Sequence, residues 1–171
     1  MPELGLDHLN ALGAEDAEAE LLKCCGSKSW ARRISRERPF RTIEDLIKKS
    51  EDVWWSLETS DWLEAFRSHP KIGEREAVQL DEPETRKWSE QEQSGVDGAS
   101  EQTRNSLAEL NRKYEKKFGF IFIVCATGKT SEDMLSILQQ RLGRSREEEL
   151  RVAASEHAKI TELRIIKLLK S

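Results

Sequence analysis

Only one stretch of this chain has the make-up of a β-strand, and it has nothing to pair with. Phe120-Ile121-Phe122-Ile123-Val124-Cys125-Ala126 is apolar and rich in β-branched and aromatic residues, as buried strands are. No second run of this kind exists in the 171 residues. A sheet is therefore excluded. The run itself is expected as a buried extended segment or as an irregular helix start.

The other apolar residues recur at helical spacing, punctuated by caps and breakers. Residues about 14–25 form a first amphipathic stretch closed by Gly26. Ser29 is expected to cap a second, Trp30 to Glu37, which stops at Pro39. Thr42 caps a third, through Ile43, Leu46, Ile47, Val53 and Trp54, and Ser60 a short fourth carrying Trp62, Leu63 and Phe66. Ser68-His69-Pro70-Lys71-Ile72-Gly73 then breaks the pattern, because Pro70 drives His69 out of helical geometry. Pro83 sits where the first turn of a fifth helix belongs, and that helix runs to about Ser94. Ser100 starts a long sixth helix ending near Phe118-Gly119, and Ser131 caps a seventh to Leu142. Ser145 with Glu148 forms a capping box for a last helix to about Lys170. The sequence thus predicts an all-α, single-domain bundle of about eight or more helices over residues 1–171, with about 1–13 free to be flexible.

Hydrophobic residues make up 37% and charged residues 35%, and the net charge is −4 from 28 basic and 32 acidic residues, well mixed. No basic patch points to nucleic acid. No apolar run approaches the ~20 residues a membrane-spanning helix needs. Cys24, Cys25 and Cys125 lack C-x-x-C spacing and are odd in number, which suits reduced thiols in a reducing compartment. The final Leu-Lys-Ser does not match the S-K-L peroxisomal address.

Three residues sit where a purely structural bundle has little use for them. His69 is held by Pro70 on a loop between helices, and an imidazole titrates near neutrality, as a general acid or base must. A structural or solvated loop histidine satisfies the same pattern. On the fifth helix, Thr85, Trp88, Ser89 and Glu92 share a stripe at ~100° per residue, with Gln93 at its edge and Glu90 on the opposite side. Glu92 is thus a carboxylate on a semi-buried face, or a surface glutamate paired with a neighbouring base. On the last helix, Arg164 and His157 fall on the stripe of Leu150, Ala154, Thr161, Ile165 and Leu168. A buried guanidinium calls for an anion, from the protein or from a ligand; an arginine that snorkels to the edge calls for none. His157 reads as a helix-face residue. His8, His69 and His157 show no metal-ligand spacing, and there is no H-E-x-x-H, P-loop, G-x-G-x-x-G or G-x-S-x-G.

The residues at these places resemble a known family. His69-Pro70-Lys71-Ile72-Gly73 is similar to the HPxIG signature of the 2-oxo-4-hydroxy-4-carboxy-5-ureidoimidazoline (OHCU) decarboxylases. Ser89-x-x-Glu92-Gln93 before Ser94-Gly95-Val96 resembles their S-x-x-E-Q-x-G element. Phe118 to Ile123 resembles their FGFxFI segment, and Ile160-Thr161-Glu162-Leu163-Arg164 the ITELR element of their last helix. The four motifs stand in the family's order. Cys24-Cys25-Gly26-Ser27 and Asp61 to Phe66 look like the plant-type branch.

The resemblance implies a carboxy-lyase that needs neither cofactor nor metal and converts OHCU to (S)-allantoin and CO₂ in urate degradation, within purine catabolism. It implies His69, Glu92 and Arg164 as catalytic residues. His69 would move protons. Glu92 and Gln93 would hold the ureido and ring nitrogens, and Arg164 would meet the carboxylate or ring oxygens. Pro70, Ser89 and the backbone around Phe122, Ile123, Val124, Cys125 and Ala126 would line the pocket. It further implies a homodimer, a fused or associated transthyretin-like hydrolase, and a cytoplasmic or peroxisomal setting. Two other readings stand beside it: a catalytically silent helical interaction module, and a metal-dependent hydrolase, against which the missing ligand spacing speaks.

Overall fold

Hydroxyl side chains mark most helix starts in this chain, and their hydrogen bonds set the element boundaries. The computed structural model describes residues 3–71, 83–96 and 100–170. Among the described residues there are helices α1 (Glu3–Ala11), α2 (Ala14–Cys24), α3 (Lys28–Arg36), α4 (Ile43–Ser56), α5 (Thr59–Arg67), α6 (Pro83–Glu92), α7 (Glu101–Phe118), α8 (Ser131–Arg141) and α9 (Arg146–Lys170). A single 3-10 turn, Ser94–Val96, follows α6, and none of the described residues forms a strand.

Thr42 accepts from the Asp45 amide at 3.0 Å, Ser100 from Thr103 at 3.2 Å and Ser145 from Glu148 at 3.2 Å, as the sequence predicts; the box expected at Ser145 is only half closed, because the Glu148 carboxylate accepts from the Ser145 hydroxyl at 3.2 Å. Three starts fall elsewhere than expected. Ser27, not Ser29, caps α3 by accepting from the Trp30 amide at 3.2 Å. Ser60 lies inside α5, which begins at Thr59. Ser131 is the first residue of α8, and Thr130 caps it, because Asp133 returns a bond to the Thr130 amide at 3.0 Å and closes a reciprocal box. For α3 and α8 two hydroxyls stand one or two positions apart, and local sequence does not say which takes the extended backbone of a cap; at α5 neither hydroxyl does, and the Asp61 and Trp62 amides turn back to the Glu58 carbonyl. At its other end α6 stops at Glu92, two residues short of the expected Ser94, where the 3-10 turn takes over.

The chain divides into two compact units, one formed by Met1–Ala65 with Ala158–Ser171 and the other by Phe66–His157. In the first, a helix occupies the stretch that the sequence left free to be flexible. Leu6 and Leu9 of α1 are buried. The Asn10 side chain donates to the Phe40 carbonyl at 3.0 Å and accepts from the Phe40 amide at 2.9 Å. Nη1 of Arg38 donates to the Leu9 and Leu12 carbonyls at 2.8 and 2.6 Å, satisfying the C-terminal end of α1. Gly5 is required here: a Cβ at that position would stand 2.0 Å from the Leu169 carbonyl oxygen of α9. Further along, the indole of Trp30 donates to the Ser50 carbonyl at 3.2 Å and that of Trp62 to the Trp54 carbonyl at 2.9 Å, so these two buried indoles have their N–H groups satisfied.

The second unit is built on an aromatic cluster. Tyr114 and Phe118 of α7 stand 4.5 Å apart between ring centroids, Phe118 and Phe120 6.1 Å, Tyr114 and Phe122 5.4 Å, and Phe66 and Phe120 5.7 Å. Phe120 to Ala126 is buried apart from the half-exposed Ile121; it is neither helix nor strand.

All three cysteines are free and buried. Burial pushes the Cys25 thiol from 9.0 up to about 12. A group whose folded pKa is raised stabilises the fold below its unfolded pKa and loses that contribution as pH rises towards the folded one. Burial also raises the Tyr114 phenol, which acts in the same direction. The midpoint of denaturant unfolding should therefore fall as pH rises above about 9, and fall less steeply in Cys25→Ala. Equal slopes in the two proteins would show that Cys25 is not a linked group.

Candidate active site

After α5 the chain needs a sharp exit, and the residues Ser68 to Lys71 supply it. The His69 amide donates back to the Phe66 carbonyl at 3.2 Å, and the buried Pro70 ends any continuation of the helix. His69 is only 8% exposed. Its Nε2 stands 2.9 Å from Nε2 of His157 on α9, the two rings meeting edge to face at 78° with centroids 4.8 Å apart. The Phe66 ring lies 5.8 Å from that of His157, so apolar surface backs the pair. Lys71 pairs with Glu115 of α7 at 2.8 Å. Both groups are about a third exposed or more, so the pair adds little energy. Ile72 and Gly73, which complete the signature, lie outside the described residues.

On α6 the helical stripe divides as the ~100° spacing requires. Trp88, Ser89 and Glu92 are buried, Gln93 is half-buried and Glu90 is exposed. Glu92, an acid at 8% exposure, stands on the face anchored by Trp88. The Thr85 side chain lies outside the described residues. Immediately after this helix, Gly95 brings its backbone against the next segment: a Cβ there would stand 2.2 Å from the Lys129 carbonyl oxygen. Only glycine fits that approach, which accounts for the glycine that follows Glu92-Gln93 in the sequence.

The irregular run Phe122 to Ala126 is held by side chains. Nη1 of Arg141 donates to the Ile123 carbonyl at 2.5 Å, Glu156 accepts from the Cys125 amide at 3.1 Å, and Lys129 donates to the Cys125 carbonyl at 2.6 Å. Arg141 is itself buried, and its Nε donates to Glu149 at 2.7 Å. Tyr114 donates to the same carboxylate oxygen of Glu149 and accepts from Nη2 of Arg141 at 3.3 Å. The guanidinium also lies over the Phe122 ring, 4.6 Å from its centroid. Three helices thus converge on one guanidinium, and that guanidinium holds the irregular run.

Of the residues singled out from the sequence, His69, Pro70, Ser89, Glu92, Gln93, Phe122, Ile123, Val124, Cys125 and Ala126 belong to the unit Phe66–His157, and all but Gln93 are buried. Arg164 belongs to the other unit, where it is 1% exposed. Nη1 of Arg164 donates to the Lys23 carbonyl at 3.4 Å, and the neighbouring Cys25 and Thr161 are also buried. The sequence did not foresee the pairing of His157 with His69. Its place on the inward stripe of α9 was visible, but the meeting with His69 joins residues 88 positions apart. Among the described residues no group of three His, Cys, Asp or Glu side chains is placed to hold a metal ion, and no described helix is long and apolar enough to cross a membrane.

Known proteins resemble this chain in sequence and in fold. The family model described as OHCU decarboxylase matches residues 10–166. The chain is 38% identical over 158 residues to an Arabidopsis thaliana uric acid degradation bifunctional protein, covering 92% of this chain and 48% of the relative. It is 31% identical over 139 residues to a Mus musculus 2-oxo-4-hydroxy-4-carboxy-5-ureidoimidazoline decarboxylase, covering 81% of this chain and 78% of the relative. A solved structure of an OHCU decarboxylase in the presence of (S)-allantoin superposes with a TM-score of 0.77 at 38% identity, covering 89% of this chain and 98% of that one. The chain spans about half or less of the length of the bifunctional relatives it matches.

Breaking the buried ion pair tests its hold on the irregular run. Arg141→Met should cost about 3–5 kcal/mol, since it strands the Glu149 carboxylate. Adding Glu149→Leu should recover part of that loss, because no charge is then left buried. A cost for Arg141→Met under about 1 kcal/mol in denaturant unfolding, the range of an exposed pair, would show that the network carries no weight.

Proposed function

This chain belongs to the OHCU decarboxylase family, and from that membership we propose that it converts OHCU to (S)-allantoin and carbon dioxide, a step of urate breakdown. The observation that carries the reading is the family match over residues 10–166; His69, Glu92 and Arg164, which lie in the stretches that resemble the family's motifs, are each buried. An acid, a base and an imidazole removed from water on this scale need a use, since their desolvation is unfavourable unless partners or a ligand offset it.

The chemistry makes modest demands. The carbon that loses CO₂ carries a hydroxyl and neighbours a C=N bond, which accepts the electron pair of the breaking bond, so the substrate provides its own electron sink. The protein has to hold the carboxylate out of line with solvent, keep the leaving pair aligned with the C=N system and deliver a proton to one face of the product. His69 takes the hydroxyl proton, neutral imidazole accepting and imidazolium donating. Glu92 and Gln93 hold the ureido and ring N–H groups. Arg164 meets the substrate carboxylate or ring oxygens with a planar fork. Pro70, Ser89 and the backbone of Phe122 to Ala126 line the pocket. The enzyme acts as a homodimer in the cytoplasm or peroxisome, and a transthyretin-like hydrolase, fused or associated, works beside it.

Purified protein given freshly generated OHCU should yield optically active (S)-allantoin, followed by circular dichroism, and chelator should not slow it. His69→Ala should lower kcat by at least ~10²-fold, the low end for general acid–base catalysis, with folding retained. Racemic product at the rate of the spontaneous reaction would sink the proposal.

Arg164 separates two uses of a buried guanidinium. As a substrate anchor it needs its fork, so Arg164→Lys should lose most of kcat/KM and melt near the wild-type temperature. As a purely structural group its loss should show first in stability, by roughly 3–5 kcal/mol. Strong destabilisation in both Arg164→Lys and Arg164→Met, with activity tracking the folded fraction, would overturn the anchor role.

A further inference from the structure

We propose that His157 is a positioning residue for His69: it accepts a hydrogen bond from Nε2–H of His69 and thereby leaves the exchangeable lone pair of that imidazole on Nδ1. The contact rests on geometry; the direction of the bond and its kinetic consequence rest on the functional reading above.

The two Nε2 atoms are 2.9 Å apart, a hydrogen-bond distance. An N···N contact of that length holds one hydrogen, so one ring donates and the other offers its lone pair. Both rings cannot be doubly protonated there, since two imidazolium N–H groups would point at each other in a site where His69 is 8% exposed and His157 not at all. The pair therefore takes up one extra proton at most, and takes it up as a unit. If His157 donated, Nε2 of His69 would be blocked as a base and its Nδ1 would already carry hydrogen, so a neutral His69 could take no proton from substrate. If His69 donates, Nδ1 is the base. Protonation at Nδ1 then turns the bond to His157 into a charge-assisted one, which stabilises the imidazolium at the moment it forms. The logic is that of a carboxylate orienting a catalytic imidazole, with a neutral acceptor in its place.

The fold locks this arrangement. His157 is on α9, a helix with rigid backbone, packed by the Phe66 ring at 5.8 Å. His69 follows α5 on a turn closed by its own amide and stiffened by Pro70. The edge-to-face angle of 78° aims the edge of one ring at the other.

The test uses the full chain labelled with ¹⁵N-histidine, with His69 assigned by its loss in His69→Asn. Two-bond ¹H–¹⁵N correlation should show neutral His69 with hydrogen on Nε2 in the wild type. His157→Gln keeps an amide acceptor near the Nε2 position and should preserve that tautomer. His157→Phe fills the space without an acceptor and should give mixed tautomers. In turnover, His157→Phe should lose about 10- to 100-fold in kcat, as when a partner orienting a working imidazole is removed, with KM within about 3-fold. His157→Gln should restore most of the loss. Hydrogen on Nδ1 of His69 in the wild type, or wild-type kcat in a folded His157→Phe variant, would overturn the proposal. Should His157→Phe fail to fold, the wild-type and His157→Gln spectra still decide it. Failure of the wild type to process OHCU would remove the functional reading, and the spectra would still decide the proton's place.

Discussion

A run of buried backbone without a sheet has to find partners among side chains, and the unit Phe66–His157 is organised around meeting that need. Each buried N–H and C=O left unpaired costs on the order of 1–3 kcal/mol. Arg141, Lys129 and Glu156 take up the Ile123 carbonyl, the Cys125 carbonyl and the Cys125 amide. Arg141 is in turn committed to Glu149 and Tyr114, so α7, α8 and α9 are tied together through a segment that belongs to none of them. The arrangement leaves one oxygen of Glu149 without a hydrogen-bond partner among the described residues.

The helices themselves were legible because their signals are local. The stripe of α6 separated Glu92 from Glu90, two residues apart in sequence, by angle alone, and the structure buries one and exposes the other. Exact starts were less legible, since Ser27 and Ser29, or Thr130 and Ser131, are equally able caps until a third residue such as Asp133 closes the geometry. Long-range polar contacts left no trace. Nothing about Asn10 announces that it will bracket Phe40, 30 positions away, and so α1 was not foreseen as part of the folded chain. His157 was seen on its stripe but not understood, because its meaning lies in a partner on a distant loop.

The polar core shows how such a chain can be charged and still pack. Buried polar groups such as Ser27, Asn111, Arg141, Glu149, His157 and Arg164 are spread through both units. Groups of this kind contribute less to stability than apolar side chains would. Their value lies in directionality, since a hydrogen bond aims a ring or a fork where dispersion forces only fill space.

One consequence concerns the order in which the chain is made. The unit that holds Arg164 is discontinuous: residues up to Ala65 emerge first, and its closing stretch, Ala158 onward, follows only after the whole of Phe66–His157. During synthesis α1 through α4 are therefore exposed for a long interval with the backbone at Gly5 facing no Leu169, while the contiguous unit can collapse on its aromatic cluster as soon as α9 begins to form. Vectorial synthesis thus assigns the two units different windows of vulnerability to aggregation and proteolysis, with the N-terminal helices waiting longest for their partner.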